Sequence, residues 1–187
     1  RERQNMTHPA IAFLKLLDPS SDARFNIETF TDLAKGGSRP SPDPLLKRHP
    51  NLSVSDVEAL IPALTKLNEQ GAAVYIAVNQ FHGQRKKKNL TYVRGVHADL
   101  DDVTAAQLAT LRKALEPTIV VQSSSPAKQH WYWLLSGDDE MSCDVAESIN
   151  RGLVSLGADK AATDIARLLR LPGFRHMKNF AGGNNNA

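Results

Sequence analysis

Apolar side chains recur at helical spacing over residues 8–18, behind a proline suited to a first turn, and predict a short helix. Phe25–Phe30 alternates apolar and polar positions and predicts a strand. Residues 36–50 hold two glycines and four of the ten prolines, which predicts a loop or crossing rather than an element. Ser53 or Ser55 can cap a helix reaching Gln70, with Val57, Leu60, Ile61, Leu64 and Leu67 on one face and Gly71 as the stop. Ala72–Val78 predicts a buried strand, and Tyr92–Asp101 a second one after the polar stretch 79–90. Thereafter the pattern predicts a helix at Thr104–Leu115, a strand at Thr118–Ser123, a polar turn over 124–129 and a strand at His130–Leu135. Helices over 142–156 and 159–169 lead into Pro172-Gly173. This order fits one α+β domain over residues 1–180, a mixed or antiparallel sheet flanked by helices, with 181–187 as a flexible tail or the start of a linker. Both ends read as cuts through a longer polypeptide.

Composition narrows the chemistry. The single cysteine, Cys143, excludes an intrachain disulfide and any zinc site needing two or more cysteines, so no zinc is expected in this stretch. No run approaches the roughly 20 apolar residues of a membrane helix, and no signal peptide is evident; a cytoplasmic protein without a membrane partner is expected. The formal charge is only +3, but the basic residues cluster. Arg85-Lys86-Lys87-Lys88 forms one block, and Lys160, Arg167, Arg170, Arg175 and Lys178 form another with Asp164 as its only acid. Such blocks suit a polyanion, although a basic run is also an ordinary solvated loop.

Three stations carry candidate chemistry. At the end of a strand, His97-Ala98-Asp99-Leu100-Asp101 puts His97, Asp99 and Asp101 on one face while Val96, Ala98 and Leu100 enter the core. Two carboxylates converging there repel unless a shared hard cation such as Mg²⁺ or Mn²⁺ satisfies both; an acidic turn in solvent is the plainer alternative. Ser123-Ser124-Ser125-Pro126-Ala127-Lys128-Gln129-His130 joins two apolar strands with hydroxyls, an ammonium and an imidazole, groups that suit a triphosphate, though a polar turn with one lysine is usually only a hairpin loop. In the third, a helix would make Asp164 and Arg167 neighbours, and Arg167 and Arg170, with Ile165, Leu168 and Leu169 inward. Alone that is a surface salt bridge of well under about 1 kcal/mol.

In this order the three stations resemble the motifs of the archaeo-eukaryotic primase superfamily: an Asp-x-Asp strand, a Ser-x-Lys-x-His type turn and a later Asp followed by basic residues. The similarity is closest to RepB-like primase and primase-polymerase catalytic domains of plasmids, phages and mobile elements, and extends to Phe25-Asn26-Ile27-Glu28-Thr29-Phe30, Val74-Tyr75-Ile76-Ala77-Val78-Asn79-Gln80 and Arg170-Leu171-Pro172-Gly173-Phe174. The turn departs from the family in carrying Pro126-Ala127 where a glycine is often found. The resemblance implies a core like the RNA-recognition motif and a metal-dependent nucleotidyltransferase that synthesises primers on single-stranded DNA from NTPs or dNTPs. It implies Asp99, Asp101 and Asp164 as ligands of a two-metal Mg²⁺ or Mn²⁺ site, with Ser123, Ser125, Lys128, His130 and Arg167 on the nucleotide. DNA contacts fall to Arg85, Lys86, Lys87, Lys88, Arg170, Arg175 and Lys178, with Tyr92, Phe81 and Phe174 as candidate stacking aromatics. A helicase or helical C-terminal region, on the same or another chain, is the expected companion. A non-catalytic single-stranded-DNA-binding or origin-recognition module would use the basic clusters but has no use for carboxylates among them, since each repels DNA. A sugar-nucleotide transferase or metal nuclease would use the carboxylate pair without a template.

Overall fold

Helix α1 (Pro9–Leu17) begins the computed structural model, which describes residues 7–33, 37–136 and 139–178; the tail expected over 181–187 lies outside the described residues. Pro9 occupies the first turn, where its missing N–H costs nothing, and His8 Nδ1 accepts from the Ala10 N–H at 3.2 Å. Ala10, Ile11, Phe13, Leu14 and Leu17 are buried, the stripe that the spacing predicts. Helix α2 (Val54–Glu69) starts in a capping box: Ser53 Oγ accepts from the Asp56 N–H, and Asp56 Oδ2 accepts from the Ser53 N–H. It stops before Gly71, whose φ of +102° needs no Cβ to be accommodated.

Between these helices run strand β1 (Phe25–Thr31) and strand β2 (Lys47–Leu52). The second corrects the expectation that residues 36–50 hold no element. β2 pairs antiparallel with β1 as the sheet's edge, and an edge strand tolerates Pro50 because no neighbour needs its N–H. With strand β3 (Ala72–Ala77) these build a four-stranded antiparallel sheet in the order β2-β1-β3-β9, where β9 is Leu168–Arg170. Ile27, Ile76 and Leu169 stand in one cross-strand row and join Val74, Val57, Leu64 and the buried stripe of α1 in a first core.

The strand expected over Tyr92–Asp101 is two. Strands β4 (Gln80–Phe81) and β5 (Leu90–Tyr92) form a small hairpin, and strand β6 (Gly95–Asp101) begins after Val93-Arg94. β6 pairs with strand β8 (Lys128–Leu134), which also pairs with strand β7 (Ile119–Ser125), giving a second antiparallel sheet in the order β6-β8-β7. The polar turn shrinks to Pro126-Ala127, because both flanking strands run further than their apolar residues suggest. Helices α3 (Ala105–Ala114) and α4 (Cys143–Leu153) cover one face of this sheet. There Val96, Ala98, Leu100, Trp131, Trp133, Leu111, Ala146, Leu153 and Ile165 make a second core, in which each large side chain fully buried contributes about 1.5–3 kcal/mol. Tyr132, on the opposite face, enters the first core edge-on to Phe13 at 5.4 Å.

The helix expected over 159–169 does not form. Asp159 caps a single 3₁₀ turn, Lys160–Ala162, a turn follows, and Leu168–Arg170 pairs with β3 as β9. Ile165 belongs to the second core and Leu169 to the first. An extended segment reaches both cores, whereas one helical face would reach a single one. The α+β class with antiparallel sheets stands as expected, and no helix among the described residues is long and apolar enough to cross a membrane.

Candidate active site

Antiparallel register brings the first two stations together. Asp99 stands opposite His130 and Asp101 opposite Lys128, with Val121 and Ser125 of β7 completing the same rows. Directly paired residues share a face, so Asp99, Asp101, Lys128, His130 and Ser125 project on the face that carries Tyr132 towards the first core. Asp99 Oδ1 lies 3.5 Å from His130 Nε2, and Lys128 Nζ lies 3.3 Å from Asp101 and 3.6 Å from Asp102. Ser123 and Ser124 fall where the pairing shifts between Gln122 and Ser125. The face of β6 is less open than alternation alone predicts: His97 is buried, its Nε2–H donating to the Ala162 carbonyl at 3.1 Å.

Burial and like charge set the electrostatics. The Asp99 carboxyl is pushed up to about 6, first by burial and then by the negative charges of Asp101 and Asp159. Asp159, whose N–H also donates to the Asp99 carbonyl at 2.8 Å, is a neighbour that the sequence reading does not single out; a cap residue beyond a helix carries no signal of its sheet partner. Burial pushes both His97 and His130 down to about 4, so both rings are neutral at pH 7. Arg170 reinforces this at His130. Five buried side-chain nitrogen or oxygen atoms among the described residues lack a protein hydrogen-bond partner, and four of them surround this site: His97 Nδ1, His130 Nδ1, the Tyr132 hydroxyl and Arg167 Nε. Buried polar atoms left without a protein partner cost about 1–3 kcal/mol each, and their concentration here suits a polar ligand.

The third station sits differently from its helical expectation. Asp164 lies in the turn before β9, bound by Arg167 Nη2 at 2.7 Å, and its charge reaches His97. Arg167 also acts on Asp99. Among the described residues, the one group of three ligand-type side chains within 4.8 Å of one another is Cys143, Asp144 and Glu147, which includes none of Asp99, Asp101 and Asp164, although Glu147 Oε1 accepts from the Ile165 N–H at 3.1 Å. Lys87 already supplies a cation there, at 2.9 Å from Glu147 and 3.4 Å from Asp144.

The basic residues divide. Arg85 is held by Glu28 at 2.9 Å and donates to the Ala166 carbonyl, an internal brace, whereas Lys87, 55% exposed, pairs with Glu147 and Asp144 at the surface. Lys86, Lys88, Arg175 and Lys178 are exposed. Arg170 donates to the buried Asp32 at 2.7 Å and faces Tyr75 across β3. Of the aromatics expected to stack on DNA, Phe81 is wholly buried and Phe174 packs against the first core, leaving Tyr92 partly exposed.

The fold is shared with solved structures. The crystal structure of primase RepB′ superimposes with a TM-score of 0.64 at 22% identity over 90% of this chain and 50% of that one, so the chain spans half the length of that relative. The catalytic domain of primase RepB′ in complex with initiator DNA gives 0.62 at 24% identity, covering 91% and 78%. The domain of that superfamily from the cyanophage S-2L primase-polymerase gives 0.64 at 17% identity, covering 90% and 83%. No curated protein matches the sequence. The family model for the RepB DNA-primase N-terminal domain matches residues 47–186, and the chain therefore belongs to that family.

Proposed function

We propose that this domain catalyses template-directed nucleotidyl transfer, joining NTPs or dNTPs on single-stranded DNA as the synthetic part of a primase or primase-polymerase. The observation that carries the reading is the register of β6 against β8, which sets Asp99 and Asp101 opposite His130 and Lys128. Acidic and phosphate-binding groups thereby face one another across one strand spacing. Hard carboxylate oxygens suit Mg²⁺ or Mn²⁺, and relief of the repulsion that raises Asp99 is what a divalent cation would provide. Asp99 and Asp101 would hold it, with Asp164 joining once Arg167 turns from it to a phosphate. When bound, such ions would lower the pKa of the attacking 3′-hydroxyl and stabilise the pyrophosphate leaving group.

The protein's own groups do the rest by positioning. Lys128 leaves Asp101 for a triphosphate oxygen, and the neutral His130 donates a hydrogen bond there rather than acting as a nucleophile, since in-line phosphoryl transfer depends on alignment and charge stabilisation. Ser123, Ser125 and Arg167 are further phosphate donors. Lys86, Lys88, Arg175 and Lys178 hold the template backbone. A helicase or helical region working with the domain remains part of the proposal, as does a cytoplasmic setting.

The test is synthesis on single-stranded DNA with Mg²⁺ or Mn²⁺, comparing NTPs with dNTPs and primed with unprimed template, beside Asp99→Ala. The expected result is product from the wild type and none from the variant. An Asp99→Ala protein, folded and extending primers at the wild-type rate, would overturn the assignment, and metal-dependent cleavage without nucleotide would point to a nuclease.

A further inference from the structure

The face of the four-stranded sheet that is turned away from the first core carries a continuous stack. Arg39 lies over the Phe30 ring, its guanidinium carbon 3.9 Å from the centroid; Phe30 and Tyr75 stack at 4.4 Å with planes 18° apart; and Arg170 lies 5.2 Å from the Tyr75 centroid. The two rings come from neighbouring strands β1 and β3, and Arg170 from β9 directly opposite Tyr75. Both rings are half-buried, an unusual place to keep two aromatics out of a core. The far end of the stack lies within electrostatic reach of the candidate site: the Asp99 charge acts on the Tyr75 phenol, and Arg170 on His130.

Charge around the stack is arranged outward. Glu28, Asp43 and Asp32 each pair with an arginine of this surface, yet their side chains are only 10%, 3% and 1% exposed, whereas Arg39 and Arg48 remain 49% and 63% exposed. Solvent therefore meets cations with aromatics between them, and the carboxylates lie beneath. Arg39 is the loose member: its side chain is 49% exposed and it approaches Asp43 no nearer than 3.7 Å, beyond a normal hydrogen bond, while it lies over the Phe30 ring.

We infer that this face binds the single-stranded template, a base stacking on the side of Phe30 that Arg39 now covers while the Arg39 guanidinium turns to a phosphate. The inference rests on the polymerase reading for the identity of the strand. Base-on-aromatic stacking tolerates any sequence, as a template site must, and a guanidinium that can move from ring to phosphate keeps the ring covered when no strand is bound. Phe30 and Tyr75 thus replace Phe81 and Phe174 as the stacking residues. Tyr75, stacked on Phe30 and paired with Arg170, backs the ring on which the base would lie.

The test uses single strands containing 2-aminopurine, whose emission is quenched by stacking, titrated against wild type, Phe30→Leu, Phe30→Trp and Arg39→Gln. Phe30→Leu should abolish the quench and weaken binding roughly tenfold, and Phe30→Trp should restore both. Arg39→Gln, an exposed change that leaves folding intact, should lower the salt dependence of binding by about one phosphate contact. Wild-type quench and affinity in Phe30→Leu, or an unchanged salt dependence in Arg39→Gln, would overturn the inference. Synthesis is read separately: if wild type makes no product with any nucleotide or metal while Phe30→Leu still loses the quench, the template surface stands as a DNA site and the polymerase reading falls.

Discussion

Arg94 is a guanidinium with 1% of its side chain exposed, and it donates to Asp18 at 2.7 Å, the Arg24 carbonyl at 2.7 Å, Gln80 at 2.9 Å and the Val78 carbonyl at 3.4 Å, with the Phe25 ring 4.5 Å from its central carbon. A buried charge of this sort is tolerated because its partner is in place, and removing one partner strands the other. Asp18→Asn should therefore destabilise the domain by about 3–5 kcal/mol, read as a drop in the urea midpoint with an unchanged slope. Asp18→Asn combined with Arg94→Met should recover much of the loss, since the apolar replacement leaves no charge to strand. If the single change shifted the midpoint no more than an exposed substitution does, the pair would be ornamental. Nothing in the sequence marks this pair, because Asp18 and Arg94 are ordinary residues far apart in the chain and only the packing of α1 against the start of β6 makes them partners.

At the level of elements, the β6–β8 pairing sets the site, and its first rung is tight. A Cβ placed on Gly95 would stand 2.1 Å from the Trp133 carbonyl oxygen and 2.9 Å from the Leu134 Cα, both backbone atoms. Gly95→Ala must push the strands apart or break the rung, and overpacking of that kind costs about 1–3 kcal/mol. The displacement should travel along the ladder to the Asp99–His130 row, so the variant should melt earlier and lose synthesis more than stability. Unaltered amide exchange along β6 and β8 in Gly95→Ala would show that the rung gives way without consequence. The elements themselves were largely legible: α1, α2, α3, β3 and β8 follow their apolar periods and caps. The failures have a common cause. Residues 159–169 carry apolar side chains at helical spacing, but Ile165 and Leu169 serve different cores, and β2 is exposed and proline-bearing, held by pairing with β1 rather than by any pattern of its own.

Across the whole molecule, the carboxylate pair and the turn that faces it could be read from the chain, because each is local and strand alternation fixes its face. What could not be read is which strands pair. Asp159 beside Asp99, Arg85 and Lys87 paired with Glu28 and Glu147, and the stack of Phe30 on Tyr75 all depend on contacts between distant segments. The cost of this assembly appears as pH dependence. His97 and His130 titrate near 4 in the folded protein against an ordinary 6.5, so between those values the unfolded chain binds protons that the native one does not. Their contribution is complete above 6.5 and is lost as pH falls towards 4. Asp99 has the opposite sign: raised from 3.8 to about 6, it takes up a proton in the native state first, so its ionised form costs stability above about 6 and the cost disappears below 3.8. Asp99→Asn in chelator should thus be more stable than wild type at pH 7.5 by on the order of 2 kcal/mol, with the gain fading as pH falls through 6 towards 4, while both proteins lose stability in acid through the two histidines. Urea titrations at pH 7.5, 6 and 4.5 decide it. Equal midpoints for the two proteins at pH 7.5 would mean that the native state holds the Asp99 charge without strain, whereas a gain confined to neutral pH would identify a carboxylate kept at the expense of stability, as a site built to meet a cation requires.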